Sequence, residues 1–126
     1  MIFKLKTSSK TQEIFDEIGR STALKPYTLV KHALAWSLKS EEPLRQFRTD
    51  SNGLELNRQT ITGEYDYLYK ALIEQYEGRQ LSDREYFPKY IKAHIDRGAL
   101  LLQSRYKHAG NLDRYVLETF GVGDTV

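Results

Sequence analysis

The sequence predicts a mainly α fold, in which a short strand and two helices at the amino terminus are followed by two or more packed helices. Three observations carry that expectation. Residues 3–6 alternate apolar and basic side chains, the period of a strand that buries one face. Between Ile14 and Leu38 apolar residues recur at helical spacing, punctuated by Gly19 and Pro26. From Tyr65 onward the same spacing returns, with breaks at Gly78 and Pro88.

Taken in order, Phe3 and Leu5 form the inward side of the strand, and Lys4 and Lys6 the outward side. Thr7, Ser8 and Ser9 offer capping hydroxyls, and Ser9 with Gln12 has capping-box spacing. Ile14, Phe15 and Ile18 share one face of the first helix, which Gly19 is placed to stop. Pro26 suits the first position of a second helix carrying Leu29, Val30, Ala33, Leu34 and Leu38 inward and ending before Pro43. Thr62 is positioned to cap a third helix with the stripe Tyr65, Leu68, Tyr69, Leu72, Ile73 and Tyr76. Ser82 and Asp83 are capping residues for the next turn, and Pro88 marks the start of a long last helix with Ile91, Ile95, Ala99, Leu101 and Leu102 inward. The pattern thins beyond Tyr106. Residues 1–120 read as a single helical domain and 121–126 as a mobile tail.

A strand with basic outer side chains followed by two helices is the plan of a ribbon-helix-helix module. Such modules form as dimers, because strands from two subunits pair into one ribbon whose outward side chains enter the DNA major groove. Here those side chains are Lys4 and Lys6, with Ile2 on the same face. The competing arrangement is a lone strand that packs Phe3 and Leu5 onto its own helices.

Composition narrows the function. The 126 residues are 40% hydrophobic and 29% charged, which fits a globular protein with a modest core. No apolar run approaches a membrane span, and the start is too short and alternating for a signal peptide, so a cytoplasmic location is expected. Cysteine is absent, which excludes a cysteine nucleophile, a persulfide carrier and cysteine ligation of an iron–sulfur cluster in this chain. The net charge of +2 is uneven: residues 1–48 hold nine Lys/Arg against five Asp/Glu, and residues 49–85 hold four against eight. A basic amino-terminal third points to an anionic partner there. Lys4, Lys6, Lys10, Lys25, Lys31 and Lys39 are the expected DNA contacts, since lysine is a flexible point charge suited to phosphates.

His32, His94 and His108 stand far apart with no i+3 or i+4 histidine partner, so neither a metal site nor any other cofactor is expected. No glycine-rich nucleotide loop occurs. Tyr27, Tyr86, Tyr90 and Tyr106 are the rings left for base stacking once the helical stripe is assigned inward. The densest polar stretch is Gly53–Glu64, with seven polar or charged residues around three apolar ones. Its Glu55, Asn57, Arg58, Thr60, Gly63 and Glu64 form either a structural corner or a partner-docking motif, with Arg58 paired to Glu55 or Glu64. The sharper reading puts Asn57 and Arg58 on DNA phosphate, or makes Glu55, Arg58 and Glu64 catalytic. The surrounding acidic residues weigh against phosphate contact.

The run Glu55-Leu56-Asn57-Arg58-Gln59-Thr60-Ile61-Thr62-Gly63-Glu64, the Leu24-Lys25-Pro26 helix entry and Ala93-His94-Ile95-Asp96-Arg97-Gly98 together resemble the DndE family of DNA phosphorothioate modification. The resemblance covers about the first 110 residues. It implies a non-catalytic accessory protein that binds duplex DNA, nicked duplex included, as a homo-oligomer (dimer or tetramer). Its implied partners are a cysteine desulfurase, an iron–sulfur sulfurtransferase-like protein and an ATPase. The competing function is a sequence-specific ribbon-helix-helix repressor, to which a strand without Arg, Asn or Gln is poorly suited.

Overall fold

The computed structural model describes residues 1–45 and 47–120; the tail expected at 121–126 lies outside them. The order is β1 (Lys4–Lys6), α1 (Ser9–Thr22), α2 (Pro26–Lys39), β2 (Glu55–Asn57), α3 (Arg58–Ile61), a 3-10 turn at Gly63–Tyr65, α4 (Asp66–Glu77), α5 (Asp83–Glu85), a π-helical turn at Tyr86–Ile91, α6 (Lys92–Ala109) and α7 (Leu112–Phe120). The fold is mainly α, and it opens with the expected strand, helix and helix.

The strand alternates as its sequence demands, with Leu5 buried between exposed Lys4 and Lys6. Its partner is β2 of the same chain. The pairing is antiparallel, with Lys4 opposite Asn57, Leu5 opposite Leu56 and Lys6 opposite Glu55. The two leucines therefore share the inner face. Phe3, expected inward, is 65% exposed, while its carbonyl accepts the Arg58 N–H at 2.7 Å.

Ser8 rather than Ser9 caps α1, its hydroxyl accepting from the Thr11 N–H at 3.0 Å. The helix passes Gly19 and ends where Ala23 turns left-handed. Pro26 opens α2, which buries Leu29, Val30, Ala33, Leu34 and Ser37. A capping box between Ser82 and Glu85 starts α5, so the last helical run begins before Pro88. Proline cannot donate to the preceding turn, and the chain widens into the π turn at that point.

The core is organised by α2 and α6, which meet at their smallest residues. A Cβ on Gly98 would lie 1.7 Å from the Ala33 carbonyl oxygen, so only glycine allows this approach. Around the contact pack Ile14, Phe15 and Ile18 of α1, Ile61, Ile73, and Tyr86, Phe87 and Ile91 of the π turn. The unexpected helix α7 buries Tyr115, whose hydroxyl accepts from Trp36 Nε1 at 3.0 Å and lies 2.9 Å from His32 Nδ1. The α4 stripe keeps its helical spacing, yet only Ile73 is buried. Tyr65, Leu68 and Leu72 are exposed. No helix of the described residues is long and apolar enough to cross a membrane.

Candidate nucleic-acid interface

The polar stretch at 53–64 folds into a corner that ties the strand pair to the helices. Gly53 lies against the β1–α1 junction, where its N–H donates to the Thr7 carbonyl at 2.9 Å and a Cβ would meet the Ser8 carbonyl oxygen at 2.0 Å. Leu56 turns in, while Glu55 and Asn57 face solvent as the strand period requires. Gly63 takes a left-handed φ of 56° between α3 and α4. Glu64 is exposed and Thr60 half-buried.

Arg58 points inward. Its side chain is 7% exposed, and its partners are neither Glu55 nor Glu64. Nε and Nη2 donate to the two carboxylate oxygens of Asp66 at 3.0 and 2.7 Å, a bidentate fork. Nη2 also lies 2.9 Å from Asp83, and Nη1 donates to the Ile2 carbonyl at 3.0 Å. The guanidinium carbon sits 5.2 Å from the Tyr86 ring centre and 4.8 Å from that of Phe87. Burial alone would push Asp66 up, but hydrogen bonds from Arg58, Thr62 and Tyr86 outweigh it and hold the carboxyl below its ordinary range. Asp83 is held down chiefly by its hydrogen bond with Arg58. Arg58 is thus a cross-link between the segment before β1, α3, α4 and α5, and its guanidinium is turned away from any external phosphate.

All six predicted lysines are exposed. They fall into two groups by element. Lys4 and Lys6 stand on the outer face of β1, with Lys10 in the first turn of α1. Lys25 precedes α2, and Lys31 and Lys39 rise from it. Lys4 Nζ is 3.8 Å from Glu55, and Lys10 Nζ is 3.5 Å from Glu13. Such open surface pairs hold a cation weakly and leave it able to exchange partners. Lys39 lies over the Trp36 ring at 5.4 Å. Of the rings reserved for stacking, Tyr27 is exposed, Tyr90 and Tyr106 are half-buried, and Tyr86 is fully enclosed.

The second matched segment also folds inward. Asp96 is 2% exposed and gathers three parts of the chain. It accepts from the Ser8 N–H at 3.0 Å, Thr11 Oγ1 at 2.7 Å, Lys92 Nζ at 2.7 Å and Thr49 Oγ1. Arg97 donates to the Ser37 and Glu42 carbonyls, both at 2.7 Å, and pins Ser37 Oγ at 2.9 Å. Ser37 Oγ lies 2.8 Å from His94 Nδ1, and His94 Nε2 lies 4.0 Å from Glu77. This serine, histidine and acid line up in space, but Ser37 and His94 are wholly buried and the hydroxyl is held by Arg97. Burial holds the imidazole down to about 3, and burial pushes the Glu77 carboxyl up. The enclosed site thus favours the neutral form of both groups. Among the described residues no three metal-ligating side chains cluster.

A basic cleft was not expected. It lies between the segment preceding β2 and the π turn, and Arg45, Arg48, Lys89 and Lys92 line it. Arg45 and Arg48 contribute to the positive charge of residues 1–48, but no local pattern joins them to lysines forty positions later.

Comparison with known proteins follows the same lines. The model of the family described as DNA sulphur modification protein DndE matches residues 4–110. A crystal structure of DndE from Escherichia coli B7A, involved in DNA phosphorothioation modification, is similar with a TM-score of 0.62 and 21% identity. The match covers 79% of this chain and 96% of that one. A structure of a DndE G21/24K mutant, involved in DNA phosphorothioation, aligns with a TM-score of 0.64 and 19% identity, covering 82% and 99%. A comparison with curated proteins gives no match.

Proposed function

This chain belongs to the DndE family of DNA sulphur modification proteins, and from that premise we propose that it is a non-catalytic, DNA-binding accessory protein of a phosphorothioate modification system. It grips the backbone of duplex DNA, nicked duplex included, through Lys4, Lys6, Lys10, Lys25, Lys31 and Lys39. The observation that carries this reading is the family match over residues 4–110, joined to the exposure of all six lysines. The protein acts in the cytoplasm beside a cysteine desulfurase, an iron–sulfur sulfurtransferase-like protein and an ATPase. The solvent-facing members of the 53–64 corner (Glu55, Asn57 and Glu64) are the surface offered to them. A homo-oligomer, dimer or tetramer, is supported by the uncovered apolar face of α4.

The intramolecular pairing of β1 with β2 supports phosphate gripping over a repressor-type ribbon. The inward turn of Arg58 weighs against catalysis at the corner. The test is duplex affinity against salt. Changing Lys4, Lys6, Lys25 and Lys31 to alanine is expected to weaken binding alike for random and palindromic duplexes. The log–log salt slope should flatten by roughly 0.9 for each phosphate no longer neutralised. Unchanged affinity and slope would remove these lysines from the interface, and a strong preference for one palindrome would favour the repressor.

A further inference from the structure

The basic cleft has a volume of about 530 Å³ and no carboxylate among its lining residues. The whole chain carries 19 Lys/Arg and 17 Asp/Glu, so four cations on one cleft, of which only Lys92 is paired with an acid, are a local concentration of charge. Lys92 is committed to holding the wall: its Nζ donates to Asp96 at 2.7 Å, and to Thr49 Oγ1 and the Asp50 carbonyl, both at 2.8 Å. Arg45, Arg48 and Lys89 are exposed and enter no ion pair among the described residues. Arg45 is held there with a left-handed φ of 50°, a conformation uncommon for a residue with a side chain. Cations gathered in a concavity raise the local potential and concentrate anions. Guanidinium groups add a donor fork that matches phosphate oxygens. The volume falls in the range of small-ligand sites and admits one nucleotide, not a duplex. Tyr90 and Phe47 in the same lining supply aromatic surface for a base.

We propose that this cleft receives a single unpaired nucleotide of DNA, its phosphate held by Arg45, Arg48 and Lys89 and its base resting on Tyr90 and Phe47. The proposal rests on the reading of the chain as a DNA-binding protein. It adds a second, separate contact for a strand end or flap, apart from the lysines that grip duplex.

The test measures binding of 5′-phosphorylated tetrathymidylate to the intact protein and to R48Q/K89Q, Y90L and K107A, with circular-dichroism melts to confirm folding. R48Q/K89Q is expected to lose about 10-fold or more in affinity, and its log–log salt slope should fall by roughly 0.7, the value for the one single-strand phosphate the cleft holds. Y90L is expected to lose about 10-fold by forfeiting one stacked base. K107A, which changes an exposed lysine outside the cleft and outside the duplex-gripping set, should bind the tetranucleotide as the parent does. Tetranucleotide affinity unchanged in R48Q/K89Q, with duplex binding intact, overturns the cleft and leaves the duplex reading standing. Loss of tetranucleotide binding in R48Q/K89Q, in a protein that ignores duplex, has the reverse meaning. Inorganic phosphate and thymidine 5′-monophosphate serve as competitors. Equal displacement by the two would make this a bare anion site and overturn nucleotide recognition.

Discussion

Arg58 shows how a residue that looks chemical from its neighbours becomes structural once its partners are known. Replacing it with lysine keeps a charge but loses the bidentate fork and the stacking between Tyr86 and Phe87. Urea denaturation of R58K is expected to show a loss of about 3 kcal/mol, the scale for breaking a buried ion pair. Stability equal to the parent would show that the fork contributes nothing. Nothing in the polar stretch announced that Arg58 turns inward while Glu55 and Asn57 turn outward, and nothing local announced Asp83, which arrives from twenty-five positions away. The acid response is also set by single residues. His94 binds its proton at 6.5 when unfolded and at about 3 when folded. Between those values only the unfolded state is protonated, so stability falls as the pH drops below 6.5, by about 2 kcal/mol on reaching pH 5. The raised Glu77 works with the opposite sign: above 4.5 the unfolded carboxyl has lost its proton while the folded one keeps it, so its contribution falls as the pH rises through the raised folded value. Asp66 and Asp83, both held low by Arg58, add their losses only below about 3.8. In H94N the urea midpoint should fall less than the parent's between pH 6.5 and 5, with the half-buried His32 still contributing, and a slope equal to the parent's would assign the effect elsewhere.

At the scale of elements, periodicity located helices well and their burial poorly. The stripe of α4 has faultless helical spacing, yet Leu68 and Leu72 remain 46% and 43% exposed. Spacing reports that a face is apolar, and a second copy of the chain satisfies that face as well as a core does. L68S/L72S is therefore expected to lower the mass in solution while leaving the thermal midpoint within a few degrees of the parent's. An unchanged mass would show that the face takes no part in assembly. The strand was legible from Lys4-Leu5-Lys6, but its partner was not, because a three-residue strand such as β2 embedded in a polar stretch carries too little alternation to be recognised. Helix α7 escaped notice for a related reason: it buries one residue, Tyr115, and the rest of its surface is exposed or half-exposed.

For the molecule as a whole, the packing of α2 on α6 sets the distance between everything else. A glycine inside a helix ordinarily weakens it, yet Gly98 is the place where two backbones meet. Gly98→Ala is expected to cost about 3 kcal/mol or more in urea denaturation, since a methyl group cannot share space with the Ala33 carbonyl without moving a helix. A neutral substitution would mean that α2 and α6 slide apart cheaply. The four longest helices and their order came from short-range patterns, whereas the ties that close the molecule, such as those of Asp96 and Arg97, join distant segments. The pairing of Leu5 with Leu56 has a consequence in time. The first strand to leave the ribosome must wait through the synthesis of both following helices before its partner exists. Closing so long a loop before any contact rewards it slows folding relative to a bundle of sequential hairpins. During that interval the amino-terminal strand is an unpaired edge, and its flanking lysines, by repelling a second such edge, guard the nascent chain against pairing with its neighbours.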